Sequence, residues 1–194
     1  MSKRKIRISC ASLASIKIDG KFLLCLNKSH LKNGLKVYTP FGGAIEYIDP
    51  TYLNELEVEF ERDERDLRLY LDKINYSKFI KWFKLKQGRE YGIGRELQEE
   101  MVEEEKIFEY LVKNGYTEYV TSFINRVTDI SDDGLNHRFF EIFSVYFSEE
   151  YIEKIYDNLN RSDTHLYLAT ETEILNLKTD TDIIIGKNSI SIIN

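Results

Sequence analysis

The chain has 194 residues, 42% hydrophobic and 13% aromatic, which suits one domain with a substantial core. Its formal charge of −6 gives no sign of general electrostatic binding to nucleic acid and leaves room only for a local basic patch. No run approaches the ~18 apolar residues of a membrane-spanning helix, and the basic start MSKRKIRIS leads into an alternating segment, so no secretory signal is read and the cytoplasm is the expected location.

The first element, KIRISCASLASIKIDGKFLLCLN, reads as a β-hairpin turning at Asp19-Gly20, a favoured two-residue loop. That register sets Ile18 opposite Lys21 and keeps Cys10 roughly 13 Å from Cys25, beyond disulfide reach. Both cysteines are expected reduced and buried. LKNGLKVYTPFGG follows, with a turn at Asn33-Gly34 and a short strand before two adjacent glycines. NELEVEFER then alternates Leu56, Val58 and Phe60 with glutamates, as a half-buried strand does. DLRLYL predicts another strand. NYSKFIKWFKLKQG predicts a short helix ending at Gly88.

The stretch REYGIGRELQEEMVEEEKIFEYLVKNG predicts one long helix from about Gly94 to Asn114-Gly115. YVTSFINRVTDIS and NHRFFEIFSVYF predict two strands joined through Asp133-Gly134. SEEYIEKIYDNLN predicts an amphipathic helix with Ser148 as its N-cap. HLYLATETEILNL gives a strand and then a helix, with Thr170 and Glu173 at capping-box spacing. The tail TDIIIGKNSISII offers a last strand or an apolar strip.

Chemistry concentrates on the long helix. At about 100° per residue, Glu96, Glu99, Glu100 and Glu103 share an arc of about 100°, while Ile93, Leu97, Met101, Phe108, Leu111 and Val112 form the core-facing arc. Like charges at i, i+4 repel by a few tenths of a kcal/mol each. Solvent and nearby lysines offset this on many acidic helices. A hard divalent cation with oxygen ligands offsets it as well, and also recruits phosphates.

GGAIEYID followed by RELQEE resembles the two halves of the Nudix box, G-x5-E-x7-R-E-U-x-E-E-x-G-U, where U is a bulky aliphatic residue. Counting from Gly43, Asp49 falls where the family has Glu. Arg95, Glu96, Leu97, Glu99 and Glu100 match R-E-U and E-E, and Glu46 matches an additional Glu of the glycine turn. The box is split, with 45 residues between Asp49 and Arg95, and Val102 and Glu103 replace the Gly and the aliphatic residue. An insertion at about 50–87 accounts for the split. A split box with DLRLYL and KFIKWF inside it is similar to the SMODS-associated Nudix group, which accompanies bacterial cyclic-oligonucleotide antiphage systems.

The resemblance implies a single α/β domain over 1–194: a Nudix-type α/β/α sandwich with a mixed central sheet. It implies Mg²⁺ or Mn²⁺ on Glu96, Glu99 and Glu100, with Arg95 and Glu46 completing the catalytic set. Gly42 and Gly43 would cradle a bulky anion. Lys84, Arg89 and Trp82 are further substrate-binding candidates, although lysines between aromatics also describe the wet face of an amphipathic helix. His137 and His165 read as structural or surface residues, and Glu141 as an acid on an exposed strand edge. The implied partner is a nucleotide-type small molecule, with a homodimer left open. The implied reaction is hydrolysis of a diphosphate linkage. A nucleotide-sensing module with little or no turnover is the alternative, motivated by the altered box.

Overall fold

The computed structural model describes residues 5–62, 65–112, 115–130, 134–179, 181 and 183–193. The fold is mixed α/β. The chain makes two interleaved compact units: Met1–Ser12, Gly43–Gly92 and Phe123–Glu141 form the first, and Leu13–Gly42, Ile93–Ser122 and Ile142–Asn194 the second. Three long strands, β1 (Lys5–Ile18), β6 (Tyr116–Ile130) and β7 (Gly134–Phe147), run through both. β7 pairs with β1 and β6.

In the first unit, the start of β1 pairs antiparallel with β5 (Arg68–Asp72), from Lys5↔Asp72 to Ser9↔Arg68, and β5 pairs with the short β4 (Glu59–Phe60). Ile6, Ile8 and Cys10 alternate inward because side chains of a strand point to opposite faces in turn. Helix α3 (Tyr76–Leu85) lays Phe79, Trp82 and Phe83 on Ile8, Leu69 and Phe139. It ends where expected, with Lys86 left-handed at φ 56° and Gly88 at φ 68°. The expected strand at 54–62 is corrected. Thr51–Glu55 forms helix α2, and Glu57 at φ 53° breaks the extended path before β4. Leu53 and Leu56 are buried one helical turn apart, and only Glu59–Phe60 keeps the extended pairing that the alternation predicts.

In the second unit, β1 turns through Asp19 and Gly20, both at positive φ, into β2 (Lys21–Leu26) with the expected Ile18↔Lys21 register. A short helix absent from the sequence reading, α1 (Lys28–Leu31), leads to β3 (Val37–Thr39). β2 also pairs antiparallel with β8 (Leu166–Ala169), and β3 runs parallel to β9 (Ile184–Ile185), which makes the sheet mixed. Helix α5 (Glu149–Leu159) buries Tyr151 and Ile155; Ser148 occupies its N-cap position, but its side chain makes no capping bond. Helix α6 (Glu171–Asn176) carries the complete Thr170–Glu173 capping box. The two cysteines are free and buried. Asp133 and Asn114 lie outside the described residues, so the turns expected there are not described.

Candidate functional site

The box helix departs from the single long helix expected over 94–113. It opens as α4 (Gly94–Leu97) and continues as a π-helical segment over Gln98–Glu104. Ile93, Leu97 and Met101 bury completely, as the helical wheel requires. Beyond them the turn widens: the Glu105 N–H donates to Glu100 O at 2.9 Å, an i→i+5 bond. Each residue then advances by less than 100°, and Glu104 and Glu105 replace Glu103 as the acids felt by Glu100. The helix stops at Glu105, and Lys106 takes φ 51°, the left-handed step usually left to glycine. Phe108 still buries against Phe147 and Tyr151, from an irregular segment.

Arg95 gathers two of the box acids. Its Nη2 donates to Glu96 Oε1 at 2.7 Å, and its Nη1 to both oxygens of Glu99 at 3.1 Å. Glu96 is buried, whereas the Glu99 side chain is 45% exposed. Glu100 turns toward the glycine turn. Gly42 N–H donates to Glu100 Oε2 at 2.7 Å. Gly42 has φ 137°, which L side chains rarely adopt, and Phe41 beside it is fully buried with its carbonyl accepting the Ala14 N–H. The glycine therefore lets the strand end present an amide to the box helix.

This one hydrogen bond does not neutralise Glu100. Burial first, and then the charges of Glu96, Glu104 and Glu105, push its carboxyl up to about 8 against the opposing pull of the Gly42 amide. Farther along, Glu105 is held by Lys28 Nζ at 2.9 Å and by His165 Nδ1 at 2.8 Å, with its side chain only 8% exposed. Lys28 also reaches Glu104 at 2.9 Å. A regular wheel does not single out Glu104 and Glu105, and His165, read as structural or surface, pairs with Glu105.

The remaining candidates divide by unit. In the first, Gly43 O accepts the Ser12 N–H at 3.0 Å, and Glu46 pairs through its backbone with Asp66 and Glu90. Asp49 is exposed; its Oδ1 accepts from the Thr51 N–H at 2.9 Å and from the Thr51 hydroxyl at 2.6 Å, which tethers the start of α2. These bonds hold its carboxyl below the usual range. Two residues expected from the sequence as substrate contacts have their side chains engaged within the fold. Trp82 is 5% exposed and stacked on Tyr52 at 6.2 Å, so its indole fills the core. Arg89 is buried with all five N–H groups engaged: two on Phe83 O, one on Glu90 O and two on Glu141. Glu141 is buried by this pair and is not an exposed edge acid. His137 is also buried, bonded through Nδ1 to the Tyr76 hydroxyl. Lys84 is exposed, with Nζ 5.4 Å from the Phe123 ring centre.

A model of the SMODS-associated NUDIX domain family matches residues 5–193. The chain belongs to that family. The matched range spans both halves of the split box. No curated protein matches the chain.

Nudix proteins generally use divalent metals, and the second unit bears on whether such an ion suits this chain. Among the described residues, no three His, Cys, Asp or Glu side chains converge as a preformed metal cage. The donor chemistry nevertheless fits a hard cation. Glu96, Glu99 and Glu100 supply only oxygen, and Glu100 remains under-neutralised among other acids. Glu99 is restrained by an exposed pair with Arg95, and such pairs are worth ~0.2–1 kcal/mol, so turning it toward an ion costs little.

Proposed function

We propose that this chain is a divalent-metal-dependent Nudix hydrolase that cleaves a diphosphate linkage in a nucleotide or nucleotide-derived substrate. The observation that carries the reading is Glu100, bonded to the Gly42 amide and pushed up to about 8 by burial and neighbouring acids. A carboxyl in that setting gains most from a cation. Glu96, Glu99 and Glu100 would hold Mg²⁺ or Mn²⁺. Arg95 restrains Glu96 and Glu99 on one side of the helix, and the Gly42 amide fixes one oxygen of Glu100. When bound, the ion supplies charge neutralisation for the diphosphate and a polarised water for attack at phosphorus. Gly42 and Gly43 are proposed to cradle the anion, and Glu46 to act as auxiliary acid or base.

The test is a screen of nucleoside diphosphates joined to a second group, with and without Mn²⁺ or Mg²⁺. Turnover should require the metal and fall about 100-fold or more in Glu100→Gln. An unchanged rate in that variant removes Glu100 from the mechanism.

Asp49 favours a second reading, a nucleotide sensor of bacterial antiphage defence acting in the cytoplasm. At the position of the box glutamate, its carboxylate is occupied by Thr51, and the box continues only after the insertion. Such a module would bind a cyclic oligonucleotide and return it intact. A ligand at a hundredfold excess over Kd stabilises the fold by about 2.7 kcal/mol. Thermal-shift measurements with cyclic di- and trinucleotides, followed by product analysis, separate the readings: an intact stabilising ligand supports the sensor, and a cleaved one the hydrolase.

A further inference from the structure

The insertion helix carries a second feature that nucleotide chemistry leaves unused. From Lys73 through Arg89 the chain has six basic residues and no acid, in a protein of net charge −6. Arg89 and the aromatic residues point inward. Lys73, Lys78, Lys81 and Lys84 are exposed. At about 100° per residue, Lys78, Lys81, Lys84 and Leu85 lie on one stripe opposite Phe79, Trp82 and Phe83. A solvated lysine face would account for the charges alone. It does not account for Ile74 at 82% exposure in the turn before the helix, or for Leu85 at 56% at its end. Phe123, 36% exposed and lying under Lys84, adds a third apolar side chain beside the lysines.

We propose that the outer face of α3 is a peripheral docking surface for an anionic lipid bilayer. Two aliphatic side chains, Ile74 and Leu85, flank the lysines about 16 Å apart along the helix axis. Lysines interleaved with protruding aliphatic side chains match an interfacial helix, whose charges meet lipid headgroups while its apolar tips enter the acyl boundary. A polyanion such as single-stranded nucleic acid uses the lysines but gains little from Ile74 and Leu85; its bases stack on aromatic rings, and Trp82 is buried. An acidic protein surface likewise has no special use for two isolated aliphatic tips separated by charge. The core side of α3 is fixed by Phe79, Trp82, Phe83 and the Arg89 bonds to Phe83 O, so the helix can present its outer face without unfolding.

Sedimentation of the full chain with vesicles tests this surface. One set is phosphatidylcholine alone, and a second contains phosphatidylglycerol as well. Binding is expected only to the anionic vesicles and should weaken in high salt. Lys78→Glu/Lys81→Glu/Lys84→Glu should lower it at least 100-fold, since removing each lysine alone costs about fivefold. Ile74→Ser/Leu85→Ser should lower it about tenfold with every lysine intact. All five substitutions are at exposed positions, and a circular-dichroism melt verifies that each variant folds. No binding to anionic vesicles, equal binding to neutral ones, or indifference to Ile74→Ser/Leu85→Ser overturns the proposal. Tighter, lysine-dependent binding to a single-stranded oligonucleotide than to anionic vesicles also overturns it and makes the face a polyanion site.

Discussion

Glu141 and Glu100 are both carboxylates drawn out of solvent, one in each compact unit, and their surroundings are opposite. Glu141 meets a guanidinium with both oxygens, at 2.8 and 3.2 Å, and that guanidinium spends its other N–H groups on backbone carbonyls. Lys86 adds a second cationic neighbour at 3.8 Å. Glu100 meets one backbone amide and three other acids. A sequence shows the same residue type in both places. The first site is complete, while the second lacks positive charge. Removing charge from the first should damage the fold, and removing it from the second should relieve it.

The largest effect should come from the complete site. Glu141→Ala leaves Arg89 buried without its partner, and breaking a buried pair in this way costs about 3–5 kcal/mol. Chemical denaturation of wild type and variant measures the loss. The double variant Arg89→Met/Glu141→Leu should recover most of it, because a well-packed apolar pair often equals a buried ion pair. If Glu141→Ala unfolds at the wild-type midpoint, Glu141 is not the completed site described here.

The under-neutralised site predicts a pH dependence of opposite origin. The folded carboxyl of Glu100 is raised from 4.5 to about 8, so between those values the native state binds more protons than the unfolded state. The stabilisation this group contributes is present below about pH 4.5 and is lost as pH rises toward 8, on the order of 3–5 kcal/mol over the full window. Glu100→Gln keeps an acceptor for the Gly42 amide and should flatten this slope in denaturation curves of metal-free protein. A slope identical to wild type would place its origin elsewhere.

Two smaller changes sharpen the contrast. Arg95→Ala strips the cation from buried Glu96 and exposed Glu99, and should lower stability by about 1–3 kcal/mol while weakening Mn²⁺ binding. Asp49→Ala should lower Tm slightly through the lost Thr51 tether and leave Mn²⁺ affinity unchanged. Loss of Mn²⁺ affinity in Asp49→Ala would restore Asp49 to the metal site.

Much of the fold was legible because local signals agreed with tertiary packing. Asp19-Gly20 fixed the first hairpin, Thr170 and Glu173 marked α6, and aromatic spacing located α3. RELQEE located the box helix, in which Arg95 contacts Glu96 and Glu99. The π turn was not legible, because a 100° wheel cannot show an i→i+5 bond; the acids at 104 and 105 were consequently overlooked. Trp82 and Arg89 had the composition of ligand contacts, but the direction of their side chains depends on the core formed with Tyr52, Phe83 and Glu141. Tyr52 and Glu141 are distant in sequence from Trp82 and Arg89, so no local pattern shows those contacts.

Under the proposed function, a cation displaces the proton of the Glu100 carboxyl, which burial and neighbouring acids raise to about 8. Calorimetric titration of the metal-free protein with Mn²⁺ at pH 7, in buffers of different ionisation enthalpy, measures both affinity and proton release. Wild type should bind with release of close to one proton per ion. Glu100→Gln should bind much more weakly and without that release, and Arg89→Met/Glu141→Leu, whose changes lie in the complete site, should behave as wild type. Mn²⁺ binding without proton release, or binding equally tight in Glu100→Gln, would contradict that displacement.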